Sequence, residues 1–340
     1  MRFCIHEEVD ADWIAACNTA ISAADTSSLS FSCIPGGSPD MCISMISQGK
    51  ADLVNLGASD MPQAVEEGLV PIVAEFYGLD ALTEYSAVAV VKESFCKSGV
   101  SLNDLKGVRS CHTGFRKTSG WNVPVGYLVS AGIIPIVSDN AVVTDDAESV
   151  ASFFSKTCAP RVTSDGPGVG GTKYAGLCTA CSGDCDTDGE PYYDYAGSIR
   201  GLMEDACDVS FTKETIPGTY AADGSDPQTW STLDLNKMRL LCPDGGCANV
   251  EDYKDCNLGR VPSHAVMASS TNPELNSIKD ALVLAGNNPT FLPSVTELKG
   301  VENVPFKKGT EALLRVDMSF EEFYDPKVLE AFNQVRNLET

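Results

Sequence analysis

Apolar and polar residues along the first ninety positions follow two alternating periods. Short apolar or alternating runs at 2–5, 29–34, 51–56 and 71–76 predict strands. Between them, Trp13, Ile14, Cys17, Ala20 and Ile21 fall on one face of a predicted helix, a second helix is predicted over 40–47, and a short one precedes 71–76. Strand and helix taken in turn predict a doubly wound, mostly parallel sheet with its ligand site at the strand ends.

The run YSAVAVVK at 85–92 is apolar and rich in β-branched residues, and is long enough to pass from one domain to the next. A second α/β unit follows, including a helix that opens at 120–126. Residues 162–194 are rich in Gly, Asp and Cys and predict a loop stapled by disulfides rather than packed on a core. A second passage is predicted at 260–268, followed by helices around 274–285 and 320–337. The expected division is therefore 1–84 with 262–340 as a discontinuous first subdomain, its terminal helices free to pack on the second, and 85–261 as the second subdomain. Two passages put a hinge beside a cleft. The length of 340 residues agrees, because one hydrophobic core rarely organises more than roughly 250–300. No internal repeat or low-complexity segment interrupts the pattern.

Composition narrows the function. With 43% hydrophobic and 21% charged residues the chain reads as globular. Twenty-four basic against 47 acidic residues give a net charge of -23, which repels phosphate backbones and anionic lipid headgroups, so neither nucleic acid nor membrane is an expected partner. Such a surface maintains solubility in saline surroundings, or offers an acidic face to a receptor. Fourteen cysteines imply an oxidising compartment and a secreted or cell-surface location. Cys178, Cys181 and Cys185 have metal-like spacing, but no second CxxC or His cluster completes a zinc site. No run approaches the roughly 18 apolar residues of a membrane span, and no Asn-x-Ser/Thr acceptor with a non-proline middle residue is present. The chain opens directly on a strand, as expected of a mature chain or an excised lobe.

Three segments carry a family resemblance. CHTGFRKTSGWNVPVG at 111–126, YYDYAGSIRGLMEDACDVSFTK at 192–213 and DYKDCNLGRVPSHAV at 252–266 resemble the anion-binding, second-tyrosine and histidine segments of transferrin lobes. AEFYG at 74–78, the YSAVAVVK strand and the closing RNL extend the resemblance over essentially the whole chain. It implies a transferrin-lobe fold of the periplasmic-binding-protein kind, α/β, with two doubly wound mixed-sheet subdomains joined by two hinge strands around a cleft. It also implies a carrier of one ferric ion with synergistic carbonate or bicarbonate, and not an enzyme. Its further partners would be a cell-surface receptor or additional lobes.

Carried over position by position, the resemblance places two tyrosine ligands at Tyr85 and Tyr195 and the histidine ligand at His264. The chemistry is coherent, since a phenol with a pKa near 10 ionises at neutral pH only beside a strong Lewis acid, and two phenolates with an imidazole make a hard anionic site. The aspartate ligand of the family is missing, because Gly57 stands at its position in ADLVNLGASD. Asp60, Ser59, water or an exogenous anion takes its place, or the place stays vacant. For the anion the resemblance implies Thr113 and the backbone amides of Ser119 and Gly120, a helix start being a natural anion site. Lys117 occupies the usual arginine position and Arg116 a usual glycine position, so either cation can serve. Glu75 and Tyr77 match residues that orient the histidine and first tyrosine, and Lys213 and Lys307 match a lysine pair that couples acidification to cleft opening.

The same resemblance implies the disulfides Cys4–Cys42, Cys17–Cys33, Cys158–Cys181, Cys178–Cys185 and Cys242–Cys256; the usual partner position of Cys111 is Gly201 here, so Cys207 is its expected partner, which leaves Cys96 for Cys247. Two other functions remain in view. Gly57 and Lys117 favour a lobe with weakened or lost iron binding that acts as an interaction or inhibitor protein. Cys111 beside His112 would suit a thiol enzyme, but adjacent residues on a strand point to opposite faces.

Overall fold

The computed structural model describes residues 1–78, 84–138, 143–162, 174–187, 189–302 and 304–338. Part of the predicted loop at 162–194 lies outside them. The chain divides into two compact units, Met1–Glu84 with Pro262–Tyr324, and Tyr85–Val261 with Asp325–Thr340.

The first unit is built on a six-stranded sheet in the order Ala312–Arg315, Leu69–Phe76, Ala265–Ser269, Leu53–Leu56, Arg2–Ile5, Ser32–Pro35. Phe3 pairs in parallel with both Cys33 and Leu53. The expected mostly parallel sheet ends there. Ala265–Ser269 enters from far along the chain and pairs antiparallel with Leu53–Leu56 on one side and Leu69–Phe76 on the other. The sheet is therefore mixed, and residues 264–269 lie beside both Gly57 and Glu75. All four residues of Leu53–Leu56 are buried, as for a central strand covered on both faces. The helix Ala11–Ile21 buries Trp13, Cys17 and Ile21 against this sheet, with Asp10 accepting from Trp13 N at 2.7 Å as its N-cap.

The second unit has a seven-stranded mixed sheet. Six strands run in the order Cys247–Ala248, Met238–Leu241, Glu84–Lys92, Val209–Lys213, Arg109–His112, Lys156–Cys158, and Gly259–Pro262 also pairs with Glu84–Lys92. Arg109–His112 is parallel to both its neighbours, whereas Glu84–Lys92 is antiparallel to Val209–Lys213 and Met238–Leu241. The predicted helix over 320–337 is broken in two, Phe320–Phe323 and Pro326–Asn337. Pro326 cannot continue a helix from its N-terminal side, but starts the next one with Asp325 as its cap. Pro326–Asn337 packs in the second unit on the helix Val123–Ser130. The approach is so close that a Cβ on Gly126 would collide with the Ala331 backbone.

All fourteen cysteines are paired: Cys4–Cys42 and Cys17–Cys33 in the first unit, and Cys96–Cys247, Cys111–Cys207, Cys158–Cys181, Cys178–Cys185 and Cys242–Cys256 in the second. No helix among the described residues is long and apolar enough to cross a membrane.

Candidate functional site

Several candidate residues lie at or just beyond strand ends in each unit. In the first unit Gly57 follows Leu53–Leu56, and His264 precedes Ala265–Ser269. Because these two strands are antiparallel neighbours, with Ala265 opposite Leu56, Gly57 and His264 come side by side. A Cβ on Gly57 would stand 3.2 Å from His264 Nε2. The other ring nitrogen, Nδ1, lies 2.9 Å from Tyr77 Oη, which also accepts from the His264 amide at 3.2 Å. Tyr77 thus fixes the imidazole plane and leaves Nε2 facing position 57. Desolvation, with the charges of Lys307 and His6, pushes the His264 pKa down to about 3, so the ring is neutral and able to ligate.

Glu75 is fully buried beneath this corner. Its carboxylate accepts from Asn55 Nδ2 at 2.5 Å, Thr310 Oγ1 at 2.5 Å and the Lys307 amide at 3.2 Å. Desolvation still raises its pKa against those bonds. Glu75 N donates to the His264 carbonyl at 2.8 Å, so this residue holds the histidine through the backbone. Lys307 Nζ lies 5.7 Å from the Tyr77 ring centre. Asp60 occupies the N-cap position of Met61–Glu66, with Ser59 Oγ 3.4 Å away, and desolvation and Asp40 raise its pKa to about 6. Gly57 faces His264 Nε2 and offers it no donor atom.

The second unit holds both phenols. Tyr85 starts Glu84–Lys92 and Tyr195 lies in the first turn of Asp194–Met203, and both are half-buried. Desolvation raises both pKa values, and the Tyr195 charge raises that of Tyr85 further. Two consecutive hydroxyls oppose this: Thr118 hydrogen-bonds Tyr85, and Ser119 Oγ lies 3.4 Å from Tyr195 Oη. Glu214, whose carboxylate accepts from Ser86 N at 2.8 Å, opposes ionisation of either phenol. Without a cation both phenols stay neutral, and a trivalent ion is the kind of charge that reverses this. Lys213 Nζ lies 5.4 Å from the Tyr85 ring centre.

The anion residues come from one strand end and one helix start. Thr113 follows Arg109–His112, and Ser119 and Gly120 belong to a π-helical turn, Thr118–Asn122, that runs into Val123–Ser130. A Cβ on Gly120 would fall on Thr113 Oγ1 and N, so only glycine allows this approach. Thr113 Oγ1 is buried without a hydrogen-bond partner among the described residues, a donor that fits an anion beside the helix amides. The two cations have acidic neighbours. Lys117 Nζ is 3.0 Å from Asp194 Oδ1 and 4.4 Å from the Tyr193 ring centre. Desolvation lowers its pKa, but Tyr193 and Asp194 outweigh that, and the net shift is upward. Arg116 has a left-handed φ of 57°, the backbone expected at a usual glycine position, and its guanidinium is 3.7 Å from the buried Asp146.

Periodicity alone gave no signal for Thr118, Asp194, Asp146 or Glu214 as neighbours of these groups. Among the described residues, the clusters of three or more His, Cys, Asp or Glu donors able to share an ion are Cys158, Cys181, Glu190 and Cys178, Cys185, Asp186. Every cysteine in them is already in a disulfide, so neither offers a thiolate for zinc. The same holds for Cys111, whose disulfide to Cys207 leaves no thiol for His112 to activate.

A family model described as Transferrin matches residues 1–296. The chain is 35% identical over 316 residues to melanotransferrin of Oryctolagus cuniculus, covering 88% of this chain and 40% of that protein. It is 35% identical over 306 residues to serotransferrin of Oryzias latipes, covering 86% and 39%, and 36% identical over 260 residues to lactotransferrin of Homo sapiens, covering 74% and 33%. The chain thus spans at most about two fifths of the length of these relatives.

Proposed function

Since the chain belongs to the transferrin family, we propose that it binds one ferric ion together with carbonate and serves in iron transport, capture or uptake. In this reading Tyr85 and Tyr195 bind the ion as phenolates and His264 binds it through Nε2. Thr113 and the amides of Ser119 and Gly120 hold the anion, with Lys117 as the nearby charge. Arg116 is the weaker candidate for that charge because its guanidinium lies toward Asp146. Glycine has no donor atom, so a nonprotein oxygen or Asp60 takes the ligand place that Gly57 cannot supply. The disulfides fit an extracellular or cell-surface location. Further lobes and a receptor are partners of the whole protein that the lengths of the relatives leave room for.

The single observation that supports this most is the pair of half-buried phenols in the second unit, bonded to the consecutive hydroxyls of Thr118 and Ser119, with the Thr113 hydroxyl, unpartnered among the described residues, packed against Gly120 of the same turn. A hard trivalent cation relieves the electrostatic cost of ionising both phenols, and an anion satisfies the hydroxyl. The test is the ultraviolet difference absorbance of ionised tyrosine on adding ferric ion as a weak chelate in the presence of bicarbonate. Two ionised phenols per iron are expected, one in Tyr195→Phe, and none in either protein would end this reading.

A second reading, an interaction or inhibitor protein with weakened iron binding, draws on Gly57 and on the Lys117–Asp194 pair, which competes with an anion for the ammonium. Rapid loss of iron to a weak chelator at neutral pH would favour it.

A further inference from the structure

One buried histidine has no part in the proposed ligand set. His112 ends the strand Arg109–His112 and is fully buried. Its Nδ1 lies 2.7 Å from the Gly120 carbonyl and its Nε2 3.1 Å from Ser110 Oγ. A carbonyl oxygen only accepts, so Nδ1 carries the ring proton, and Nε2 shares the single Ser110 hydroxyl proton with Thr157 Oγ1, 3.2 Å from the same Oγ. Phe211 stacks on the ring with centroids 5.1 Å apart, Trp121 lies tilted at 5.0 Å and Phe154 meets it edge-on at 6.2 Å. These contacts leave the imidazole one orientation, aimed at Gly120.

The Gly120 carbonyl has a specific need for that donor. In an α-helix its partner would be the N–H of residue 124, and residue 124 is proline. The chain enters the helix through wider bonds instead, with Asn122 N reaching back to Lys117 O at 3.1 Å and Val123 N to Thr118 O. Pro124 therefore removes the α-helical donor to this carbonyl, and His112 Nδ1 at 2.7 Å takes that place, at the residue whose own amide is assigned to the anion. An unpaired buried carbonyl is costly, and a turn free to move would shift the Ser119 and Gly120 amides away from Thr113.

We propose that His112 is the positioning residue of the anion site: its Nδ1–H holds the Gly120 carbonyl and keeps the Ser119 and Gly120 amides in register with the Thr113 hydroxyl. The inference rests on the reading that these groups bind the anion, but it does not require iron.

The test is a bicarbonate titration of the iron-free protein, followed by tyrosine difference absorbance. His112→Leu should raise the half-saturating bicarbonate roughly tenfold, the effect of orphaning one buried carbonyl. His112→Asn, whose amide nitrogen takes the place of Nδ1, should recover most of that loss. Adding Pro124→Ala to His112→Leu should also recover part of it, since the helix can then supply its own N–H. Should His112→Leu fail to fold, Ser110→Ala leaves the ring in place without its second anchor, and a rise of about threefold is expected. Wild-type affinity in His112→Leu, or in Ser110→Ala if that variant must serve, overturns the proposal. So do equal losses in His112→Leu and His112→Asn, which mark a purely structural role, and failure of the wild type to bind bicarbonate. If bicarbonate binds and ferric ion does not, the iron reading fails while this inference stands.

Discussion

Restoring a carboxylate at position 57 probes the least usual feature of the first unit. Gly57 has a backbone outside the left-handed region, so a side chain is conformationally allowed there. The added Cβ would stand 3.2 Å from His264 Nε2, tight enough to require a shift of a few tenths of an ångström, but not a collision with backbone. Gly57→Asp would therefore put a hard anionic oxygen beside the nitrogen assigned to the metal. A hydrogen bond or ligand contact involving a charged group contributes about 1.5–3 kcal/mol, equivalent to roughly a ten- to hundredfold change in rate or affinity. The assay is iron release to a chelator at neutral pH, followed by decay of the phenolate charge-transfer band in wild type, Gly57→Ala and Gly57→Asp. Release from Gly57→Asp should be slower by that factor, with Gly57→Ala near wild type. Equal rates in all three would refute the reasoning, as would the same slowing in Gly57→Ala, because the effect would then be steric rather than chemical.

Three further outcomes follow from the same geometry. Lys117→Arg replaces a point charge, now held by Asp194 at 3.0 Å, with a planar fork that can serve both carboxylate and anion; bicarbonate should bind several-fold, roughly up to tenfold, more tightly in a titration of the iron-free protein. His112 has its pKa lowered by burial to about 4 in the folded chain against an ordinary 6.5, so its contribution to stability is fully present above pH 6.5 and is lost as pH falls through 4. On the order of 3 kcal/mol is involved, and the urea midpoint of the iron-free protein should fall with acid more steeply in wild type than in His112→Asn. Lys213→Gln should move acid release of iron to lower pH if the lysine pair implied by the resemblance operates; an unchanged pH profile removes that role.

Local elements were legible where they obey a single period. Trp13, Cys17 and Ile21 mark the buried face of Ala11–Ile21, and the apolar runs at 2–5 and 85–92 lie in strands. What periodicity cannot contain is pairing between distant segments. The entry of Ala265–Ser269 between Leu53–Leu56 and Leu69–Phe76 turned a mostly parallel expectation into a mixed sheet, and it also puts His264 against Gly57 and Glu75. The break at Pro326 rests on one residue inside an otherwise continuous helical pattern. Cysteine pairing needed the family resemblance, because fourteen cysteines allow far too many connectivities for spacing to decide. Chain order shows His112 only as a neighbour of Cys111, and nothing in it reveals that the imidazole meets the Gly120 carbonyl, whose α-helical donor Pro124 removes.

The central claim is most directly tested by titrating the iron-free chain with ferric ion, with and without bicarbonate, while recording the visible spectrum of wild type and Tyr195→Phe. One equivalent of iron should bring up a phenolate charge-transfer band only when bicarbonate is present, and Tyr195→Phe should weaken and shift it. A chain that stays colourless under both conditions, or a band indifferent to both bicarbonate and Tyr195, would contradict the account.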